Sequence, residues 1–287
     1  ITVQLHRWDS TFVQEIFKYS FWVFLFALVY QFQWRSGQVV IGITTDTQTV
    51  AVFGVGVMLG IYFTTFGNVI NGLLLPKAVQ AVYNHVSNEV LTAQMIKVGR
   101  VSFLLLLYVF GAFLLTGQDF IILWIGEQYL SAYWIALSIM VVYIIPIAQG
   151  YSHAILDAKK MLRFKSLSFL IFSIAGAFSG YFLSMNYGMY GMIIGLVSAV
   201  FVLQIVMNVY YQLKLKLDMP KFFKNALFKF TFVFVVIIVV SYIVNQRFTS
   251  NTWFVLLIKN SLFSSIFFFS MYFVINEEER KLISSKL

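Results

Sequence analysis

Cysteine is absent from the 287 residues, and histidine occurs only three times. The chain therefore has no disulfide, no thiolate metal site and no cysteine nucleophile. His6, His85 and His153 are far apart in the sequence, which argues against a zinc site. The sequence accordingly predicts neither a metal nor another cofactor.

Charged residues are scarce as well. They make up 11% of the chain, whereas a soluble domain carries about 25%. Hydrophobic residues make up 60%, and the mean hydropathy is +0.85. Because a soluble protein of this length still needs a polar surface, the composition predicts an all-α fold, a polytopic bundle of helices in a membrane.

Enzyme motifs are also missing. The sequence contains no P-loop, no G-x-S-x-G and no H-E-x-x-H. Nucleotide-driven transport and hydrolase chemistry therefore have no support, and we expect the chain not to be an enzyme. The net charge of +9 does not indicate nucleic-acid binding, because the basic residues form no single patch or stripe.

Eight apolar runs are each long enough to cross a bilayer, which takes about 20 helical residues. They cover residues 17–40, 50–75, 99–118, 132–154, 166–185, 188–212, 226–246 and 252–275. The short connections predict antiparallel neighbours. We therefore expect about eight transmembrane helices, with Pro146 kinking the fourth.

Basic residues are distributed unevenly between the connections. Seventeen of the 20 Lys and Arg precede the first run, follow the second, fourth or sixth run, or lie in the C-terminal tail, and the alternate loops hold only Arg247. Since basic loops stay in the cytoplasm, both ends of the chain are expected there. Arg35 and Lys259 lie within apolar runs, and Lys259 is expected to snorkel to the outer surface.

The segment DFIILWIGEQYLSAYW, residues 119–134, is apolar and aromatic but contains Asp119 and Glu127. Its Trp and Tyr side chains suit the headgroup region of a membrane. We expect a short helix that lies in the outer interface and leads into the fourth span.

Three stretches resemble polysaccharide flippases of the Wzx type, in the multidrug/oligosaccharidyl-lipid/polysaccharide (MOP) exporter superfamily. VVIGITTDTQTVAVFGVGVMLGIYFTTFGNVINGLLLPKAVQ is similar to their seventh-to-eighth helix region. DFIILWIGEQYLSAYW followed by IIPIAQGYSHAILDAKKMLRFKS is similar to the ninth-to-tenth region, and NYGMYGMIIGLVSAV to the twelfth helix. The resemblance covers about residues 15–215.

The resemblance implies a MATE-like fold of two pseudo-symmetric six-helix bundles. This chain matches the second bundle, at residues 1–215, followed by two additional helices and a cytoplasmic tail at residues 216–287. Because the sequence starts at Ile1 and matches one bundle, we expect a fragment whose missing N-terminal half is a partner.

The resemblance also implies a function. Such proteins move an undecaprenyl-diphosphate-linked oligosaccharide across the bacterial inner membrane, without making or breaking a bond, for the synthesis of O-antigen, capsule or exopolysaccharide. The implied partners are that lipid-linked oligosaccharide, membrane lipids, a polysaccharide polymerase and chain-length proteins.

Polar residues inside the runs are candidates for the lining of a transport cavity, because such side chains are costly against lipid. Helical spacing places each set on one face, and the family analogy places the same three spans around the cavity. The candidates are Arg35, Gln31 and Gln38 in the first span, Thr64, Asn68 and Asn71 in the second, and Gln149 and His153 in the fourth.

Simpler interpretations stay open for these residues. Asn68 and Asn71 could serve only to bond a neighbouring helix. Gln149 and His153 could lie solvated in the cytoplasmic interface. Arg35 could snorkel outwards, or its planar guanidinium could bind the substrate diphosphate.

Two other functions compete with the flippase. A drug or cation antiporter of the same superfamily needs an acidic group in the membrane, and Asp46, Asp119, Glu127 and Asp157 all lie in or near predicted loops. A membrane polysaccharide polymerase or ligase usually has a large outer loop, and every predicted outer loop here is short.

Overall fold

The structure is a computed structural model that describes residues 10–72, 74–248 and 252–274. Nearly all of these residues are helical and none of them forms a strand, which confirms the predicted all-α class. The helices are α1 (Ser10–Thr44), α2 (Thr47–Gly72), α3 (Leu74–Tyr83), α4 (Asn88–Ile125), α5 (Ala132–Ala148), α6 (Gly150–Ala158), α7 (Leu162–Lys214), α8 (Met219–Phe222), α9 (Lys229–Asn245) and α10 (Trp253–Val274).

Five of the described helices are long and apolar enough to cross a membrane. They are Thr47–Asn68 within α2, α4, α7, the continuous segment Met219–Asn245, and α10. The pair α5–α6 makes a sixth if its two bent halves form one span. The predicted number of eight is therefore not confirmed, although the long apolar helices are consistent with a multi-pass membrane protein.

The bend between α5 and α6 measures 52°. Pro146 lies in the last turn of α5, and Gln149, with φ −91° and ψ 16°, separates the two helices. Proline has no N–H to donate to the preceding turn, so α5 lacks one hydrogen bond, but the helix continues to Ala148 and the bend itself lies at Gln149. The predicted kink is confirmed.

Helix α7 reverses direction at Gly188, whose φ of 55° and ψ of −137° are not helical. A Cβ on Gly176 would lie 2.8 Å from the Cβ of Ala199, and one on Gly191 would overlap the carbonyl of Leu183. These pairs are spaced equally about residues 187–188. The arms, residues 162–187 and 189–214, therefore form an antiparallel hairpin.

The interfacial helix expected at residues 119–134 is wrong. Residues 119–125 continue α4 to Ile125, Gly126 ends it with φ 101°, and only Glu127–Tyr129 form a 3-10 turn before α5. Ile121 is fully buried, in a cluster with Val52 and Tyr133. Because Ile121 packs in this cluster, α4 continues for two turns through residues 119–125, where the composition alone predicted a helix in the outer membrane interface.

The packing of the helices defines where a site can form. Helix α1 lies along α7, α2 packs on α5, and α3 packs on α6, while α9 and α10 pack on each other and on α4. Lys259 pairs with Asp119 of α4, and its expected snorkelling to the outer surface stays a prediction. The division at residue 215 stays a prediction.

Candidate functional site

A cavity of about 370 Å³ lies where α1, α2, α5, α6 and the start of α7 meet, and we call it the polar cavity. Thr64 and Asn68 of α2 and His153 of α6 line it. The structure thus brings together three of the residues that the sequence selected. It adds four polar residues that the sequence analysis did not select: Tyr30, Tyr143, Asp157 and Lys165.

On the α2 wall of the polar cavity, one polar side chain is already hydrogen-bonded and another is exposed to the cavity. The buried Thr64 hydroxyl donates to the carbonyl of Ile61 at 2.8 Å, within its own helix. The Asn68 side chain is exposed at the cavity, so its amide can meet a ligand. The side chain of Asn71 lies outside the described residues.

Gln149 occupies the bend between α5 and α6 and is fully buried, so the interpretation of this residue as solvated is wrong. Its Oε1 accepts a hydrogen bond of 2.6 Å from Gln204 Nε2, which also donates to Asn208 Oδ1 at 3.1 Å. Gln149 Nε2 has no acceptor within the described ranges. A buried amide donor is normally paired, so this group can bind a ligand or a water.

His153 is held by a tyrosine of the second α7 arm. The Tyr211 hydroxyl lies 3.1 Å from His153 Nδ1, and the two rings meet edge to face at 5.8 Å between centroids. Tyr211 itself is fully buried. The same hydroxyl lies 3.4 Å from His153 Nε2, so Tyr211 holds the imidazole at the cavity wall through either nitrogen.

An ion pair lies in the same wall. Lys165 Nζ is 3.3 Å from Asp157 Oδ1, and the side chains of Lys165 and Asp157 are 9% and 28% exposed. The same ammonium is 4.7 Å from the ring centroid of Phe26 in α1. Burial of a charge is costly without a counter-ion, so this pair is a structural requirement of the cavity as well as a possible contact for an ionic ligand.

The first candidate set lies elsewhere. Arg35 and Gln31 are exposed on α1 and do not line the polar cavity, and Gln38 is half-buried against α2 beside Gly54. Arg35 has no ion pair within residues 10–72, 74–248 and 252–274. Its surroundings on α1 include the exposed side chains of Phe24, Leu28 and Phe32. Arg35, Gln31 and Gln38 therefore lie on α1 outside the polar cavity.

Part of this site had a signal in the sequence. Asp157 and Lys165 were counted as loop charges because the charge asymmetry ignores where a side chain packs. Gln204 and Asn208 are four residues apart in an apolar run, a spacing that places them on one helical face. That spacing is the signal that would have identified them.

Comparison with known proteins leaves the chain without an assigned relative. No family model, no curated protein and no solved structure matches it. The geometry of the polar cavity therefore has to be interpreted from its own chemistry.

Proposed function

We propose that this chain is part of a transporter that moves undecaprenyl-diphosphate-linked oligosaccharide from the inner to the outer leaflet of the bacterial inner membrane. The observation that carries the proposal is the polar cavity, in which amide, imidazole, phenol, ammonium and carboxylate groups line one space within a predominantly apolar bundle. A glycan and a diphosphate lose their hydration in hydrocarbon at high cost. Polar groups within the bundle lower that cost.

The chemistry of the cavity suits part of such a substrate. Asn68 can bond sugar hydroxyls or phosphate oxygens, and Lys165 supplies an ammonium group in the cavity wall. A volume of about 370 Å³ admits a diphosphate or its adjoining sugar, and not the whole lipid. The polyprenyl tail stays in the bilayer, so no covalent step and no cofactor are required.

The proposed route of transport uses the bend at Gln149. Interrupted helices often lie beside transport sites, because their ends present polar backbone groups and allow the halves to move separately. Here α6 carries His153 and Asp157 beyond a 52° bend. Movement of α6 relative to α5 would change access to the cavity from the cytoplasmic side.

The proposed topology has eight spans with both ends of the chain in the cytoplasm. It counts α1 as a span despite Arg35, and it counts the two arms of α7 separately. The charge asymmetry of the loops supports it. The partners we propose are the lipid-linked oligosaccharide, membrane lipids, an N-terminal six-helix half, a polysaccharide polymerase and chain-length proteins.

The topology is tested with truncation fusions to reporters that report on one side of the membrane only. The turn at Lys159–Lys160 is a better fusion point than the buried Lys165. A fusion there should be active in the cytoplasm, and fusions at Asp46 and Gly188 should be active outside. The reverse pattern would overturn the topology.

A second candidate is a cation- or proton-coupled antiporter. From the sequence, Asp157 was placed near a loop, which disfavoured an antiporter. In the structure, Asp157 belongs to α6 and lines the polar cavity. An acid in this position is what cation coupling requires. Its pairing with Lys165 is neutral between the two candidates, because a bound cation would have to displace the ammonium and a bound phosphate would have to displace the carboxylate.

Gene disruption in the host separates the two functions. The flippase proposal predicts loss of surface polysaccharide and accumulation of lipid-linked oligosaccharide in the inner leaflet. Complementation with the intact gene should restore both. Normal surface polysaccharide together with increased sensitivity to cationic drugs would instead establish the antiporter.

A further inference from the structure

We infer that a groove between α3 and α4 binds the headgroup of an anionic phospholipid from the cytoplasmic leaflet. The groove has a volume of about 780 Å³ and is separate from the polar cavity. Helix α3 packs on α6 and α4 also contacts α6, while α3 and α4 leave this space between them. Tyr151 of α6 is its floor.

The charge of the groove has one sign. Lys77 of α3 and Lys97 of α4 line opposite walls, and none of the lining residues is a carboxylate. Both lysine side chains are exposed, and neither has an ion pair in the part of the chain that the structure describes. Two unpaired ammonium groups across one groove suit a phosphodiester.

Amide groups surround the two lysines. Gln80 extends from α3 and Asn84 from the turn that follows it, while Gln94 extends from α4 and accepts a hydrogen bond from the Tyr151 hydroxyl. Because Tyr151 satisfies the Gln94 oxygen, the Gln94 Nε2 group is directed elsewhere and can donate to a headgroup oxygen. The groove thus offers donors without a competing anion.

Polarity changes along the groove in the direction that a phospholipid requires. The α3 wall runs from Leu74, next to the end of the apolar helix α2, through Lys77 to Gln80, and Asn84 follows in the turn after α3. On the antiparallel wall the lining runs from Val101 and Val98 to Lys97 and Gln94. The apolar end of both walls therefore lies towards the spans, and the polar end lies away from them.

This arrangement distinguishes a lipid from a soluble phosphate. A free phosphate needs only the charged end, whereas a phospholipid also occupies the apolar end with its glycerol and upper acyl chains. The exposed Val101 and the half-buried Val98 offer no polar contact to a free anion. The inference does not depend on what the polar cavity transports, and the assignment to the cytoplasmic leaflet rests on the proposed topology.

The test measures lipid binding to the whole protein in a zwitterionic detergent by native mass spectrometry. The probes are phosphatidylglycerol, phosphatidylcholine and soluble glycerol phosphate. We expect phosphatidylglycerol to bind in preference to phosphatidylcholine, with glycerol phosphate bound far more weakly. The double variant Lys77→Gln/Lys97→Gln should bind phosphatidylglycerol about 30-fold more weakly, on the basis of two lost lysine contacts.

Matched variants make the result decisive. Lys221→Gln/Lys224→Gln removes two exposed lysines outside the groove and should leave binding unchanged. Lys77→Arg/Lys97→Arg retains both charges and should retain binding. Equal losses in the groove and control variants would overturn the site, and equal affinity for glycerol phosphate and phosphatidylglycerol would overturn a lipid as the ligand.

Discussion

Lys259 of α10 and Asp119 of α4 form an ion pair with 2.7 Å between Nζ and Oδ2. Next to it, Asn260 Nδ2 donates to Thr116 Oγ1 at 3.1 Å. One turn further, the hydroxyls of Tyr108 and Ser264 are 2.9 Å apart. A line of polar contacts therefore joins α10 to α4 inside an apolar interface.

Removal of the Lys259 ammonium should destabilise the protein. The side chains of Lys259 and Asp119 are 12% and 26% exposed, so the pair lies between the surface and buried cases. We expect Lys259→Met to cost about 2 kcal/mol, because Asp119 loses its counter-ion. Thermal unfolding in detergent measures this loss, and Lys224→Met, at an exposed lysine, is the control. Additive losses in Lys259→Met/Asp119→Asn would show that the two residues do not interact.

The Gln149–Gln204 hydrogen bond predicts that removing one partner destabilises the protein more than removing both. Gln204→Leu should destabilise the protein by about 1–3 kcal/mol, because both polar atoms of the buried Gln149 amide are then unpaired. The double variant Gln149→Leu/Gln204→Leu should recover much of that loss, since no buried amide of this pair is left. The melting temperatures of the two variants decide the point. A double variant less stable than Gln204→Leu would contradict it.

The contact between Tyr211 and His153 should matter for transport more than for folding. We expect Tyr211→Phe to lower transport about fivefold, as expected for one hydrogen bond of about 1 kcal/mol, at normal membrane abundance. The neighbouring Tyr210→Phe is the control, because the Tyr210 ring stacks on Phe164 at 3.9 Å and phenylalanine preserves that stacking. Surface polysaccharide and protein abundance are measured together. Equal transport by both variants would leave Tyr211 without a role in orienting His153.

The hairpin of α7 predicts a sharp difference between glycines. Gly191→Ala places a methyl group against the Leu183 carbonyl, so the arms must separate, at a cost of about 3 kcal/mol. Gly42→Ala has only an ordinary contact, 3.7 Å from Val50 Cγ2, and should be neutral or stabilising by up to about 1 kcal/mol. Folded yield and melting temperature compare the two. Similar values would show that the arms are not in contact at Gly191.

Substitutions of Arg35 test whether the exposed face of α1 contributes to transport. If this face meets the substrate diphosphate, Arg35→Lys should retain part of the transport activity and Arg35→Ala should lose most of it, at unchanged membrane abundance. The guanidinium is exposed, so neither substitution disturbs the core of the bundle. Gln14→Ala, at an exposed polar position on the same helix, is the matched control. Full surface polysaccharide with Arg35→Ala would make Arg35 an interfacial anchor.

The sequence predicted the helices better than their interruptions. Apolar length located the long apolar helices, and Pro146 indicated that the fourth run bends, although the bend lies three residues later at Gln149. They did not predict the pairing of Lys259 with Asp119, because residues 140 positions apart meet only through packing. Nor did they predict the burial of Lys165, since a lysine that follows a basic turn has the same sequence pattern whether it is solvated or paired. Thr64, Asn68 and His153 were selected by their spacing along a helix, and a helix keeps that spacing in the folded protein.

The glycine contacts in α7 have a mechanical consequence. Backbone contact joins the arms near Gly188, and the stack of Phe164 on Tyr210 joins them at the opposite end. Because both ends are fastened, the arms cannot slide past each other by a residue without breaking one set of contacts. The arms of α7 are therefore held in one register, whereas the α5–α6 pair changes direction at Gln149, about 13 Å from the far end of α6.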